Sequence, residues 1–312
     1  MADSAPMKWS HLAFLLIPVL GVGELAAHFW FAKRPPNESQ WKAAAPRLSA
    51  LRKEADLVVV APQWAEPVAR QVLGDAVMPM RDVARPDESR YAAATEISIL
   101  GKRSEYTRGW RELERHDEGK FVVRRLENPA HQKVLYDFVD HVSAEAATAS
   151  LVTDEARACE WTDRAPMSSG GLGGPPMFPA RRFVCPGAPM HVFVGVTVVE
   201  DQDYLPRRCI MMHAPDKGSI EATFREVPLG KEIRGHSGMR MIIERELTGA
   251  PILLEVFVDG EKVGQDEHRD GQYWKPWRIE LGPHAGKTAS VTFKVSSPRE
   301  AQRQMCWEAD TR

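Results

Sequence analysis

After Pro206 the chain is written as a succession of short strand-like runs, at 209–213, 220–226, 239–245, 252–258, 262–266, 277–281, 288–295 and 304–309. Turn signals separate them, including Thr248-Gly249, Asp259-Gly260, Asp270-Gly271 and Gly282-Pro283. About eight strands at this spacing predict two packed antiparallel sheets, a β-sandwich or jelly roll over residues 206–312. The first and last strands of such folds often pair, which favours joining Cys209 to Cys306.

Upstream, residues 56–150 read as a small α/β domain. DLVVVAP (56–62) is a short β-branched run ending at a proline, a buried strand. Trp64 to Leu73 reads as a helix stopped at Gly74, and Ala94 to Leu100 as a second strand. Tyr106 to Arg115 reads as a helix whose Arg111-Glu112-Leu113-Glu114-Arg115 run is its solvated face. Strands are expected at Lys120 to Leu126 and Val134 to Val142, turning at Asn128-Pro129. Residues 151–205 read as a connecting region, with a Gly/Pro/Ser-rich loop at 165–180.

The N-terminal part carries a different signal. After a tail at 1–10, Leu12 to Ala32 forms one apolar stretch, with Trp9 before it and Phe29, Trp30, Phe31, Lys33 and Arg34 at its far end. That length and those flanks predict a single transmembrane helix at 11–33, followed by a linker and helix at 34–55. A cleaved signal peptide is the alternative, with a poor cleavage site at Ala26-Ala27. The fold class is thus a single transmembrane helix, then an α+β or α/β small domain, then an all-β jelly-roll domain. Glu24 and His28 lie four residues apart, one turn of a helix, as an intramembrane polar pair. They suggest an integral-membrane protein partner besides the membrane lipid; the alternative is two groups near the aqueous end of the span.

Cys159, Cys185, Cys209 and Cys306 are the four cysteines, and none forms a C-x-x-C pair. A structural zinc is disfavoured, and disulfides in an oxidising compartment are favoured over free thiols. Cys159 and Cys185 flank the Gly/Pro-rich loop and would staple its base. Lys33, Arg34 and Lys42 after the span argue for a cytoplasmic body, and the cysteines argue the opposite. The expected location is the inner membrane, single-pass, with an extracytoplasmic, periplasmic body. Net charge is −2, with 41 basic and 43 acidic residues mixed along the chain, so no basic stripe points to nucleic acid.

EVFVDGEKVGQ followed by WRIELGPHAGKTASVTFKVSS resembles the galactose-binding-like jelly-roll modules, over about residues 206–312. DLVVVAPQWAEPVARQ together with that jelly roll also resembles the soluble tails of bacterial polyprenyl-phosphate-dependent glycosyltransferases. This chain lacks the multi-helix membrane core in which that family's catalysis takes place. The second resemblance therefore implies glycan-related work outside the cytoplasm and carries over no catalytic residue.

Motifs narrow the chemistry further. GPHAGKT (282–288) has three residues between its glycines where a phosphate-binding loop needs four, and a strand-like run follows it. GHSG (235–238) has Met239 where a nucleophile elbow needs its last glycine. No cofactor is expected beyond Ca²⁺, for which Asp259, Asp266, Glu267 and Asp270 fall in adjacent hairpins and offer hard oxygen ligands. Met211, Met212, His213, His236, Met239 and Met241 offer soft copper ligands but read better as core. Tyr273, Trp274 and Trp277 offer flat faces for a glycan or partner contact. The competing reading makes the acids turn residues and the aromatics core. The function expected is a membrane-anchored, extracytoplasmic, non-enzymatic protein that binds a glycan or a partner protein through its jelly roll. Alternatives are an accessory structural subunit of a cell-envelope membrane complex, and an envelope-glycan enzyme of unrecognised type.

Overall fold

The computed structural model describes residues 9–32, 35–85, 87–167, 178–299 and 303–312. Most of the N-terminal tail and of the Gly/Pro-rich loop lies outside them. The chain divides into two units, Met1–Pro79 with Ala92–Pro129, and Met80–Tyr91 with Ala130–Arg312.

The first unit holds α1 (Trp9–Ala32), α2 (Glu38–Leu51), α3 (Glu66–Leu73) and four strands: β1 (Leu57–Ala61), β2 (Ala93–Ile99), β3 (Arg111–Glu118) and β4 (Phe121–Glu127). The sheet order is β1-β2-β4-β3, with β1 parallel to β2 and the other pairs antiparallel. A capping box starts α2. The Asn37 side chain accepts from the Gln40 N–H at 2.9 Å, and the Gln40 side chain accepts from the Asn37 N–H at 3.0 Å. Trp41 and Leu48 are buried from α2, and Trp41 meets Phe121 edge-on at 4.7 Å.

The expected transmembrane helix, and with it the expected fold class and inner-membrane location, is overturned. No helix among the described residues is long and apolar enough to cross a membrane. Pro18, Glu24 and His28 fall within α1, and all three are exposed. Contacts with membrane lipid or a membrane protein lose their support.

The second unit is mostly β. It contains α4 (Met80–Val83), α5 (Met241–Arg245) and thirteen strands: β5 (Tyr136–Asp137), β6 (Ala147–Val152), β7 (Ala156–Thr162), β8 (Arg182–Val184), β9 (Phe193–Glu200), β10 (Pro206–His213), β11 (Ser219–Pro228), β12 (Glu232–Gly238), β13 (Ile252–Val258), β14 (Glu261–His268), β15 (Lys275–Glu280), β16 (Thr288–Ser296) and β17 (Gln304–Thr311). One hydrogen-bonded path runs β14-β13-β16-β11-β6-β7-β8-β9-β10-β17-β12-β15, with β5 beside β17. The path folds over at β7, which pairs with β6 on one side and β8 on the other. The two layers pack as a sandwich. Ile252, Leu254, Val256 and Val258 of β13 and Val291, Phe293 and Val295 of β16 alternate inward. They meet Ile210, Ile233 and Trp307 of the other layer, and Phe293 stacks on Trp307 at 4.1 Å. Each such side chain contributes about 1.5–3 kcal/mol on burial.

Four local expectations change. Residues 111–118 form an exposed edge strand, not a helix face: their charges pair across strands, Glu112 with Arg124 at 3.2 Å and Arg111 with Glu127. A charged edge also discourages pairing with other chains. Residues 134–142 hold only the two-residue β5, because the Asp137 carboxylate accepts from the Val139 N–H at 2.9 Å and turns the chain. Residues 241–245 are helical, since Glu244 reaches back to accept from the Met239 N–H at 3.1 Å. Residues 151–205 are more than a connection: β7, β8 and β9 complete the sandwich.

Candidate functional site

The register of three neighbouring strands builds the site. β12 pairs with β17 on one side and β15 on the other, which sets rows of residues on one face. One row is Asp310, Arg234 and Arg278; the next is Glu308, His236 and Pro276. Between them, Gly235 and Trp277 face the core. A Cβ on Gly235 would come within 2.5 Å of the Trp277 ring, so only glycine lets the indole lie there.

Asp87, Arg234, His236, Pro276, Trp277 and Arg278 line a hollow of about 410 Å³ on this face. Arg234 stands directly opposite Arg278, a pairing of like charges that is unfavourable by itself. Glu232 offsets it, at 2.7 Å from Arg234 and 3.5 Å from Arg278. His236 Nδ1 lies 2.7 Å from the buried Glu308 carboxylate, which holds the ring in one orientation. Arg312 bridges Asp87 to Asp310, with 2.6 Å from its Nε to Asp310. Burial alone would raise the Asp87 carboxyl, but the Arg312 charge and the Ser89 hydrogen bonds outweigh it and hold Asp87 low. Beside it, burial pushes the Glu88 carboxyl up, and the Asp87 charge adds to that push. The hollow thus presents fixed donors and fixed acceptors side by side.

The residues singled out in sequence are dispersed. Tyr273 is 50% exposed in a turn. Trp274 packs with Phe178, Phe193, Cys209 and Met211, and Trp277 is 8% exposed in the sandwich core. Asp259 accepts from the Ser290 N–H at 2.9 Å. Asp266 accepts from the Ser237 hydroxyl at 2.7 Å and pairs with Lys275. Glu267 pairs with Arg269 at 2.6 Å, and Asp270 with Arg303 at 2.7 Å. Each acid has its own partner, and the described residues hold no group of three or more His, Cys, Asp or Glu side chains that could hold a metal ion. The disulfides are Cys159–Cys185, from β7 to the residue just after β8, and Cys209–Cys306, between β10 and β17. Arg234, Arg278 and Pro276 were missed in sequence. Their signal is the alternation in EIRGHSG and KPWRIE, which becomes a site only once the two strands are paired in register.

No protein-family model matches the chain, and no curated protein matches it. Solved structures give faint overlaps. A structure of CBM51-2 with GlcNAc and INT domains from Clostridium perfringens ZmpB is 13% identical over 38% of this chain, with a TM-score of 0.27. This chain spans 25% of that one. CBM51 from Clostridium perfringens GH95, in complex with methyl-galactose, is 14% identical over 38% of this chain and 81% of its own, with a TM-score of 0.27. The CBM22-1–GH10 modules of Clostridium thermocellum xylanase 10B with xylohexaose give 14% identity over 38% and 24%, with a TM-score of 0.25. Overlaps of this size carry no argument about fold or ligand, and the resemblance to glycosyltransferase tails finds no support among them.

Proposed function

We propose that the sandwich unit is a non-catalytic, galactose-binding-like jelly-roll module that binds a glycan through the hollow on β12 and β15. The observation that carries this is the Arg234–Arg278 pair, set opposite each other across the two strands and flanked by His236 and Pro276. Two guanidiniums held beside carboxylates offer both donors and acceptors to sugar hydroxyls, and the proline ring offers a flat apolar patch. The ionisable groups sit in static pairs, Asp87 with Arg312 and His236 with Glu308, which suits recognition better than proton transfer. The two disulfides suit an oxidising compartment.

Calorimetry of the full chain against a panel of neutral oligosaccharides tests the reading. Arg278→Ala and Arg234→Ala should each weaken binding by about ten-fold, some 1.4 kcal/mol. Trp274→Ala should leave affinity unchanged, because its indole packs into the protein. A chain that binds no member of the panel sinks the reading.

A further inference from the structure

A second cavity, of about 490 Å³, lies elsewhere on the sandwich unit, lined by Tyr136, His141, Glu145, Ala146, Arg225 and Glu226. Two local costs converge on it. The Tyr136 hydroxyl is buried and has no hydrogen-bond partner, although buried polar groups are almost always paired. Glu226 holds a φ of 52°, the left-handed backbone that glycine adopts freely and other residues resist. The cause is a bulge in β11: between the pairs Phe224–Val291 and Val227–Ala289, two residues face one. The bulge turns Arg225 and Glu226 out to the cavity, where both are exposed. Strain and an unpaired buried group gathered at one cavity are what a binding site retains at the expense of stability.

The lining names the ligand. Glu145 and Glu226 bring two carboxylates to this lining and Arg225 a single guanidinium. A hydrogen bond from Ser143 holds the Glu145 carboxyl low, so it is charged near neutrality. The Tyr136 and His141 rings stack at 3.9 Å and 19°, and the His141 Nδ1 is tied 2.6 Å from the Asp137 carbonyl oxygen, so the pair forms a fixed aromatic wall. We propose that this cavity binds one pyranose ring carrying an ammonium group, an amino sugar. Its ammonium would face the two glutamates, and its hydroxyls would serve Arg225 and the phenol of Tyr136. This rests on the glycan reading above and adds a second, chemically distinct subsite to it.

Glucosamine and glucose, titrated separately into the full chain and followed by NMR, test it. Glucosamine should bind at least ten-fold more tightly than glucose, with shifts centred on Tyr136 and Ala146. Glu226→Gly should raise the melting temperature by relieving the left-handed backbone, and still weaken glucosamine about five-fold or more. Tyr136→Phe should melt no lower than the parent and also weaken glucosamine. Equal binding of the two sugars, or unchanged glucosamine binding in both variants, overturns the proposal. If glucosamine fails to bind while oligosaccharides bind in an Arg278-dependent way, the amino-sugar subsite falls and the glycan reading stands. If neither binds, both fall.

Discussion

Glu96 in the first unit and Glu244 in the sandwich unit are each at most 1% exposed, and the two are neutralised by opposite strategies. Glu96 of β2 is 0% exposed and draws on mobile charge: Arg103 at 2.9 Å and Arg124 at 3.3 Å, helped by the Ser104 N–H and the Thr107 hydroxyl. The Arg103 side chain is 46% exposed, so half of that neutralisation reaches in from water. Glu244 of α5 is 1% exposed, and among the described residues its ion pair is with His268 and not with an arginine. Its oxygens accept from the N–H groups of Met239, Gly271 and Tyr273, each at 3.1 Å, from Gln202 at 2.8 Å and from His268 Nε2 at 2.5 Å. A carboxylate held by oriented dipoles ties together every segment that supplies one. A carboxylate held by long cationic side chains ties mainly those side chains.

The sharpest way to break this comparison is to delete both acids. Glu244→Ala leaves three N–H groups and an imidazole without their acceptor and should cost the sandwich unit about 3–5 kcal/mol. Glu96→Ala takes this acceptor from the buried Arg124, the Ser104 N–H and the Thr107 hydroxyl, while Arg103 can turn to solvent and Arg124 keeps Ser98 and Glu112, and should cost about 2–3 kcal/mol. Denaturant melts of the two variants decide it, and equal losses would erase the distinction.

Acid gives the next largest contrast. Burial by itself would raise the Glu244 carboxyl, but the hydrogen bond and charge of His268 and the backbone N–H donors outweigh it and lower it below 4.5. A lowered folded value means the stabilisation is full above about pH 4.5, the unfolded value, and is lost as pH falls through the folded one. His213 must be separated from it. Burial, aided by His191 with its ring 4.6 Å away, pushes the His213 imidazole down to about 4. That makes the fold lose stability progressively from about pH 6.5 down to about 4, as the unfolded chain takes up the proton. Glu244→Gln should flatten the stability curve only below pH 4.5, and His213→Gln only above pH 4. A Glu244→Gln variant that keeps the parent's acid limb refutes the first assignment.

The smallest effects refine the picture. Arg103→Ala should cost under about 1 kcal/mol and depend on salt, as half-exposed ion pairs do. Gln202→Ala should cost about 0.5–1.5 kcal/mol with no salt dependence. Stability measured at low and high ionic strength separates the two.

Strand content was readable where apolar residues alternate between turn dipeptides, as in ILLEVFV before Asp259-Gly260. It failed where charge mimicked helical spacing, in RELERHDE, and where side-chain hydrogen bonds bent a strand-like run, at Asp137 and Glu244. The pairing of Cys209 with Cys306 was readable because both lie on strands at the two ends of an expected sandwich. The hollow was not readable. Asp87 joins it from more than two hundred residues away, through Arg312, and no local pattern announces that return.

The sandwich is joined differently along its two long sides. At β7 the backbone ladder passes unbroken from one layer to the other, and the Cys159–Cys185 bridge lies beside that fold. At the opposite side β14 and β15 end the path, and side chains do the joining: Asp266 to Lys275 and Ser237, and Ile279 against Gly264. In mechanical terms the unit is a book, with a spine at β7 and a clasped fore-edge at β14 and β15. Under load or thermal agitation the clasp yields first, so amide exchange should report opening along the fore-edge while the spine stays shut.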